Sequence, residues 1–432
     1  MRGGGLRCCA TAVALLAVTS VAAQENNLDV ALNLLTHGEI RNGGMPTKTD
    51  GDDLAAFAMG RARLAIDYKR PGIVARVIGQ SSSIWGAKGS EAFNLYEAWA
   101  KLSTRQGLFA QIGRQALAYD DERIIGPNDW AMASKSHDVL RLGYEGHGHK
   151  VHGILAYNQT AENINGGSFY QNGSQPYKNM QTLWYHYDLP KVPLGASLLF
   201  MNIGMQGGDK EENAHTEYQQ LVGGYVKYTP KQWSAELSYY HQMGTYEEGM
   251  IDINAWMLAT KLQLTPADNY GFVAGYDYLS GDDQFAIPGS QQIGVIQHKT
   301  IKGFNPVYGS HHQFYGAMDF FYVSTYVNGF TPGLQNAYIG GHYKPTKDLK
   351  LSAKYHYLAI ATNLDEMDKT LGHEIEIEAS YKIMKDVNLS AGFSYMTGTK
   401  TMERLKRASN QGNLRWTWLS LNITPKIITN KW

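Results

Sequence analysis

Residues 108–119 read Leu-Phe-Ala-Gln-Ile-Gly-Arg-Gln-Ala-Leu-Ala-Tyr, residues 120–130 read Asp-Asp-Glu-Arg-Ile-Ile-Gly-Pro-Asn-Asp-Trp, and residues 137–144 read His-Asp-Val-Leu-Arg-Leu-Gly-Tyr. Two runs of β-type alternation flank a polar loop rich in Gly, Pro, Asn and Asp, the pattern of an antiparallel pair with a long connection. In the second run Asp138, Leu140, Leu142 and Tyr144 form a mostly apolar parity, while His137, Val139, Arg141 and Gly143 form a mixed one. A soluble sandwich would carry the same local pattern. The number of repeats and the character of the chain ends separate the two architectures.

The N-terminus has Arg2 and Arg7, an apolar run from Cys8 to Val21, and the small residues Val21-Ala22-Ala23 before Gln24. This is the grammar of a secretory signal peptide over residues 1–23. Cys8 and Cys9 would leave with it, so the exported chain would hold no disulfide. The sequence carries 39 basic and 39 acidic residues; loss of Arg2 and Arg7 leaves a net charge of −2, which is no nucleic-acid footprint. After the signal no apolar run approaches the ~18 residues of a membrane helix. An exported, cysteine-free chain with 28 Tyr and recurrent alternation predicts an all-β transmembrane antiparallel β-barrel, with residues 24–432 as one unit.

Alternating segments of about ten residues recur along the whole chain, the length a tilted strand needs to cross a bilayer. They fall near 28–42, 54–69, 73–85, 93–104, 108–119, 137–145, 149–160, 179–188 and 196–207. The second half gives 216–229, 233–246, 252–265, 269–281, 334–345, 348–360, 373–384, 387–398 and 414–427. Short connections such as Arg70-Pro71-Gly72 and Lys385-Asp386 alternate with long polar ones such as 120–136, 161–178 and 282–333. Short periplasmic turns and long extracellular loops are the layout of a bacterial outer-membrane barrel. Both termini on the periplasmic side require an even count. The β-like stretch Phe314–Val327 is therefore assigned to the large extracellular loop of about 282–333, folded into the barrel mouth. About 18 strands result, with 16 and 20 also compatible.

Parity then divides lipid from lumen. Leu28, Val30, Leu32, Leu34 and Ile40 share one face; Asp29, Asn33, His37, Glu39 and Arg41 take the other. The same logic turns Arg61, Arg63, Asp67, Arg76, Gln80, Glu97, Lys101 and Arg141 inward, because a Lys or Arg facing lipid near the midplane costs ~2–4 kcal/mol. Late in the chain Glu374, Glu376 and Glu378 alternate with Ile375 and Ile377, and Lys354 and His356 precede them. A basic early wall and an acidic late wall would set up a transverse field across the pore. Ion pairs that only rigidify the wall are the other reading. Arg114 shares the parity of Ile112, so a lumen role needs a bulge at Gly113; otherwise it sits at the membrane rim.

His147, His149 and His152 have metal-like spacing but fall in an expected solvated turn, and His311-His312 lies in the large loop, so no metal site is assigned. The sequence has no G-x-S-x-G, H-E-x-x-H or phosphate loop, and no catalytic residue or cofactor is assigned. The chain ends on Trp432, an aromatic that fits an interfacial girdle and resembles the assembly signal of outer-membrane barrels.

Three blocks resemble the alginate-export family of outer-membrane proteins. The first runs from Ile112-Gly113-Arg114-Gln115 through Glu122-Arg123-Ile124-Ile125-Gly126 and Asp129-Trp130 to Asp138-Val139-Leu140-Arg141-Leu142. The second joins Phe304-Asn305-Pro306-Val307-Tyr308-Gly309 to His312–Phe321, and the third is Leu371-Gly372-His373-Glu374-Ile375. The resemblance implies a monomeric eighteen-stranded barrel that passes an anionic polyuronate through a basic constriction. Arg114, Arg123 and Arg141 lie in the matching motif; Arg41, Arg61, Arg63, Arg76 and Lys101 come from alternation. The acidic residues Glu374, Glu376 and Glu378 depart from a dedicated polyanion exporter.

The expected function is thus a passive outer-membrane channel for polar or anionic solutes, with an alginate-like polysaccharide or oligosaccharide among them, and no enzyme activity. Its expected partners are outer-membrane lipids, the solute, and the barrel assembly machinery through Trp432. The alternatives are a non-conducting structural or assembly component plugged by its large loop, and a barrel hydrolase.

Overall fold

The computed structural model describes residues 26–43, 51–167, 169–172, 176–208, 210–246, 249–283, 300–321, 331–365, 367–406 and 414–432. The signal segment, most of 282–299 and residues 322–327 of the expected extra strand lie outside them. The first nine staves are β1 (Asn27–Arg41), β2 (Ala55–Arg70), β3 (Ile73–Ile84), β4 (Ala92–Ser103), β5 (Leu108–Gln115), β6 (His137–Gly146), β7 (His149–Tyr157), β8 (Asn179–Asp188) and β9 (Leu194–Gly207). Then come β10 (His215–Tyr228), β11 (Trp233–Tyr246), β12 (Ile251–Ala267), β13 (Tyr270–Leu279) and the two-residue β14 (Thr300–Ile301), which lies parallel to β12. The wall resumes with β15 (Leu334–Tyr343), β16 (Leu349–Ala359), β17 (Thr370–Met384), β18 (Val387–Gly398) and β19 (Leu414–Ile423). After a break at Thr424-Pro425 the last stave continues as β20 (Lys426–Lys431).

Each stave pairs antiparallel with its sequence neighbour, β13 with β15 across the large loop, and β19 and β20 both close onto β1. The result is a closed eighteen-stranded antiparallel barrel, and the expected segments coincide with its staves to within a few residues. Among the described residues no helix is long and apolar enough to cross a membrane; the strands do the crossing. Ends and parity follow the alternation: Leu64, Ile66 and Val77 are exposed outward while Gln80 and Arg61 are buried inward.

One expected boundary differs. The run 108–119 leaves the wall after Gln115, because Leu117 and Tyr119 turn into the lumen and bury there. The connection 116–136 is consequently an inward fold, not an exterior polar loop. Residues 302–321 also fold inward, as expected for the large loop, but 314–321 form no strand.

The barrel encloses a hydrophobic core beneath and beside the in-folded loops. Ile154, Met180, Leu199, Met201, Leu221 and Met257 project inward from β7–β12 and are almost fully buried beneath the in-folded loops. At about 1.5–3 kcal/mol for each large apolar side chain, this burial contributes to holding the loops down. β15–β19 add Leu334, Leu358, Leu371, Met396 and Trp416 to the same core near the long-loop end, whereas β1–β5 and the remainder of β16 and β17 present mostly polar and charged side chains.

Candidate functional site: the in-folded loops and the charged wall

The two in-folded segments bind each other before they bind the wall. Gly126 N–H donates to Tyr308 O (3.1 Å), Tyr308 N–H to Ile124 O (3.0 Å) and Ser310 N–H to Glu122 O (2.9 Å). Lys135 Nζ adds a bond to Gly309 O at 2.8 Å. A Cβ on Gly309 would run into the Arg123 carbonyl, so this approach needs a glycine. Asp120, Glu122, Asn128, Val307, Tyr315 and Asp319, all on these two segments, hold positive φ. Such strain persists only where surrounding contacts over-determine the backbone.

Arg61 and Arg63 on β2 anchor the first loop. Arg61 Nη1 donates to Asp129 O (3.0 Å) and Ala131 O (2.9 Å), while Arg63 donates to Asp129 Oδ1 (2.7 Å), Ser134 Oγ (2.7 Å) and Gln80 Oε1 (2.7 Å). Arg123, itself on that loop, is 2% exposed and bonds Asp121 (2.9 Å) and Asp277 on β13 (2.7 Å), with its guanidinium 4.0 Å from the Phe314 ring centroid. Burial opposes its charge, but Asp277 and Asp121 outweigh that and hold it well above the ordinary guanidinium value. Burial pushes the Asp120 carboxyl up, although it accepts bonds from Trp184 (3.0 Å) and Tyr240 (3.3 Å).

The second segment is clamped differently. Gln242 on β11 donates to Asn305 O (2.7 Å) and accepts from Asn305 N–H (2.9 Å). Ala317 N–H donates to Glu376 (2.7 Å) and Met318 N–H to Glu374 (3.0 Å). A buried chain then joins the segments through the wall: Asp277 to Asn336 (2.8 Å), Asn336 to His356 (2.8 Å), and His356 Nε2 at 3.2 Å from Glu376. Above, the short helix α1 (Lys400–Lys406) buries Met402 and Leu405, and Lys406 Nζ bonds the Phe320 carbonyl.

These contacts revise several expectations. Arg61, Arg123 and Glu374 are buried fasteners of the loops and do not line an open passage. Glu374 and Glu376 face backbone amides, so the late wall is a docking rail, and of the three glutamates Glu378 alone is solvent-exposed. Arg114 stays on the outer parity: β5 keeps its register, and Arg114 pairs with Asp138 at 2.6 Å on the exposed face near the long-loop end. The other basic residues do face the lumen, each with a carboxylate or amide on the same wall. Arg41 lies 3.5 Å from Glu39, Arg76 2.5 Å from Asp67, Lys101 3.6 Å from Glu145, and Arg141 donates to Gln111 at 2.6 Å. Lys354 pairs with Glu376 at 2.9 Å, and Glu236 sits between Lys227 (3.4 Å) and Lys261 (3.2 Å). These charges thus stand in local ion pairs, the arrangement that the second of the two sequence readings describes. Of the three clustered histidines, His149 bonds Tyr185 while His152 meets Tyr119 and Glu145.

Sequence reasoning missed Asp277, Asn336 and Gln242. Each stands at an inward position of a strand, and a short polar side chain there carries no motif.

With this arrangement in view, the comparison with known proteins is specific. The alginate export family model matches residues 86–373, two thirds of the chain. The chain belongs to the alginate export family. The alginate-export match starts in the loop before β4 and ends in β17, so it contains both in-folded segments and Asp277. No curated protein resembles the chain at the level of sequence. Among solved structures it is similar to a BenF-like porin from Pseudomonas fluorescens (TM-score 0.62, 13% identity, 93% of this chain and 99% of that one). It is also similar to Pseudomonas aeruginosa OccK2 (OpdF) in complex with glucuronate (0.60, 12%, 93% and 98%) and to the P. aeruginosa outer membrane protein opdK (0.61, 10%, 94% and 99%). At such identities these structures establish the fold. Family and fold together make this alginate-export barrel an integral outer-membrane channel protein and not an enzyme.

Proposed function

We propose that this barrel passes polar and anionic solutes, alginate-like oligosaccharides among them, along the charged half of its lumen. The observation that carries the reading is the division of the lumen. Apolar side chains of β7–β12 lie under the loops, while Arg41, Arg76, Lys101, Lys354 and Glu378 on the opposite side remain accessible to water. A solute would meet cations one at a time, each already part-neutralised by its carboxylate. That is the weak, multi-site contact that conduction needs. The glucuronate held by OccK2 is chemically in keeping with such a solute.

The test is single-channel conductance in planar bilayers, with ion selectivity and block by oligouronates. Arg76→Ala/Lys101→Ala should lower anion preference and weaken block; unchanged selectivity would count against this wall as the path. A second reading, a plugged and non-conducting assembly component, draws on the docking of both loops against β2, β11, β13 and β17. A silent wild-type barrel would favour it. The same proposal includes a monomer, with Trp432 read by the barrel assembly machinery; deleting Trp432 and following outer-membrane yield tests that part.

A further inference from the structure

The outward face of β13, β15, β16 and β17 carries a depression of about 750 Å³. Its floor is Gly341 on β15 and Ala353 on β16, which stand side by side in register. Phe272 faces Gly341 from β13 and Ile377 faces Ala353 from β17, so two large apolar side chains bound the dip laterally. Ile339 and Tyr355 close it toward the long-loop end, Tyr343 and Leu351 toward the short-turn end, and all six rim residues are exposed. A Cβ on Gly341 would meet the Gly271 carbonyl oxygen at 2.7 Å, so the floor is built into the backbone.

Depth places this depression in one leaflet. From Ile339 to Tyr343 β15 advances about 13 Å at ~3.3 Å per residue, roughly half the ~25 Å apolar band of an outer-membrane barrel. The half is the periplasmic one: Trp233, Tyr270, Tyr343 and Tyr381 stand exposed near the short-turn ends of their strands, as an interfacial girdle does. Just beyond that girdle stand Lys344, Lys347, Lys350, Lys382 and Lys385, all exposed, against the carboxylates Asp268, Asp348 and Asp386. Lys344 N–H donates to Asn269 O (2.6 Å) and Lys382 N–H to Asp348 O (2.8 Å), so the three turns lie side by side. Among the described residues none of the five lysines stands in an ion pair. Lys344, Lys350 and Lys382 keep the lumen parity of His342, Lys354 and Glu378, which leaves Lys347 and Lys385 at the turn tips.

We propose that this depression holds an acyl chain of an anionic phospholipid from the periplasmic leaflet, with the lipid's headgroup at Lys347 and Lys385. The chain lies over Gly341 and Ala353, between Phe272 and Ile377, where the wall is one side chain thinner than around it. Lysines at the membrane surface favour an anionic headgroup over a zwitterionic one. Lipopolysaccharide fits poorly, because its phosphates lie at the opposite surface of the membrane. A second copy of the chain fits poorly as well. A two-fold pair about this face would bring the same turn lysines together, and the convex wall of a partner barrel would leave the dip unfilled.

The experiment is native mass spectrometry of the purified full-length barrel in detergent, with phosphatidylglycerol, phosphatidylethanolamine or lipopolysaccharide added to the micelles. Heat-modifiable electrophoretic mobility checks that every variant is folded. The wild type should retain phosphatidylglycerol saturably and prefer it to phosphatidylethanolamine by roughly ten- to thirtyfold, the factor that two lysines at a charged surface supply. Ala353→Leu, a change on the exposed outer face, fills the dip and should strip bound lipid of either headgroup. Lys347→Gln/Lys385→Gln should keep the chain contact and bring the two phospholipids to equal retention. A folded Ala353→Leu barrel that retains phosphatidylglycerol like the wild type overturns the site. So does a wild type that retains both phospholipids equally or prefers lipopolysaccharide. A wild type that runs as a dimer, with the dimer abolished by Ala353→Leu, assigns the face to a second copy and overturns the lipid site. None of these readouts depends on whether the lumen conducts.

Discussion

Replacing Arg123 by alanine should open the lumen while leaving the barrel standing. The guanidinium is the only cation within the described contacts of Asp121 and Asp277, and Asp277 is itself 1% exposed. Removing one partner of a buried ion pair costs about 3–5 kcal/mol, because the remaining charge stays desolvated. The Phe314 face, 4.0 Å from the guanidinium, adds up to ~2 kcal/mol. The ion-pair loss alone shifts the ratio of docked to undocked loop by roughly a hundredfold to several thousandfold. The damage should reach the second segment as well, since Asp277 leads through Asn336 and His356 to Glu376 and the Ala317 amide. The assays are single-channel conductance and limited proteolysis of loops 116–136 and 302–321, with heat-modifiable mobility reporting the barrel. We expect larger, noisier conductance, faster cleavage at both loops and an intact barrel. Arg123→Met/Asp277→Leu, which removes both charges, should restore part of the protease resistance. An Arg123→Ala barrel with wild-type conductance and wild-type cleavage at both loops would refute the view that this pair fastens the plug.

The other predictions concern single fasteners. Gln242→Ala strands the Asn305 N–H and C=O at about 1–3 kcal/mol each, so chymotrypsin should cut at Tyr308 and Phe314 sooner while the first loop keeps its resistance. Gly113→Val forces a β-branched residue into φ +121° against the Ala98 carbonyl; at about 1–3 kcal/mol, the temperature at which heat-modified mobility is lost should fall. In the second segment, burial and then the neighbouring Lys135 charge lower His311 from 6.5 to about 4. The undocked loop thus binds more protons than the docked loop between these values. Docking is at full strength above about pH 6.5 and weakens as pH falls toward 4, by at most ~1.4 kcal/mol per unit. Conductance should rise reversibly between pH 7 and pH 4.5, and His311→Gln should flatten that rise.

The wall was legible in the sequence because a strand that must show lipid on one face and water or protein on the other has no freedom in its parity. Leu64 and Ile66 could only point outward, and Gln80 only inward. The same alternation misled at Arg61 and Glu374: it reports the side of the wall, and says nothing of what covers that side. Whether an inward arginine meets water or a loop carbonyl depends on chain 70 residues away, as with Arg61 and Ala131. The polar look of residues 120–136 had the same origin. Asp120 and Asp121 are polar because their carboxylates bond wall and loop partners inside the lumen, not because they face solvent.

The break at Thr424-Pro425 bears on how the cylinder comes together. Closure joins residues as far apart as Asn33 and Asn422, a separation of 389, and bringing such ends together costs on the order of 5 kcal/mol in chain entropy. Until then β1 and β19 are open edges, free to template on other chains. Pro425 lacks an N–H and splits the closing ladder, so Leu34–Arg41 can zip onto β19 while Asn27–Ala31 waits for β20. Assembly can thus finish in two modest steps in place of one long one. The same interruption marks where a pulled or heated barrel would begin to unzip.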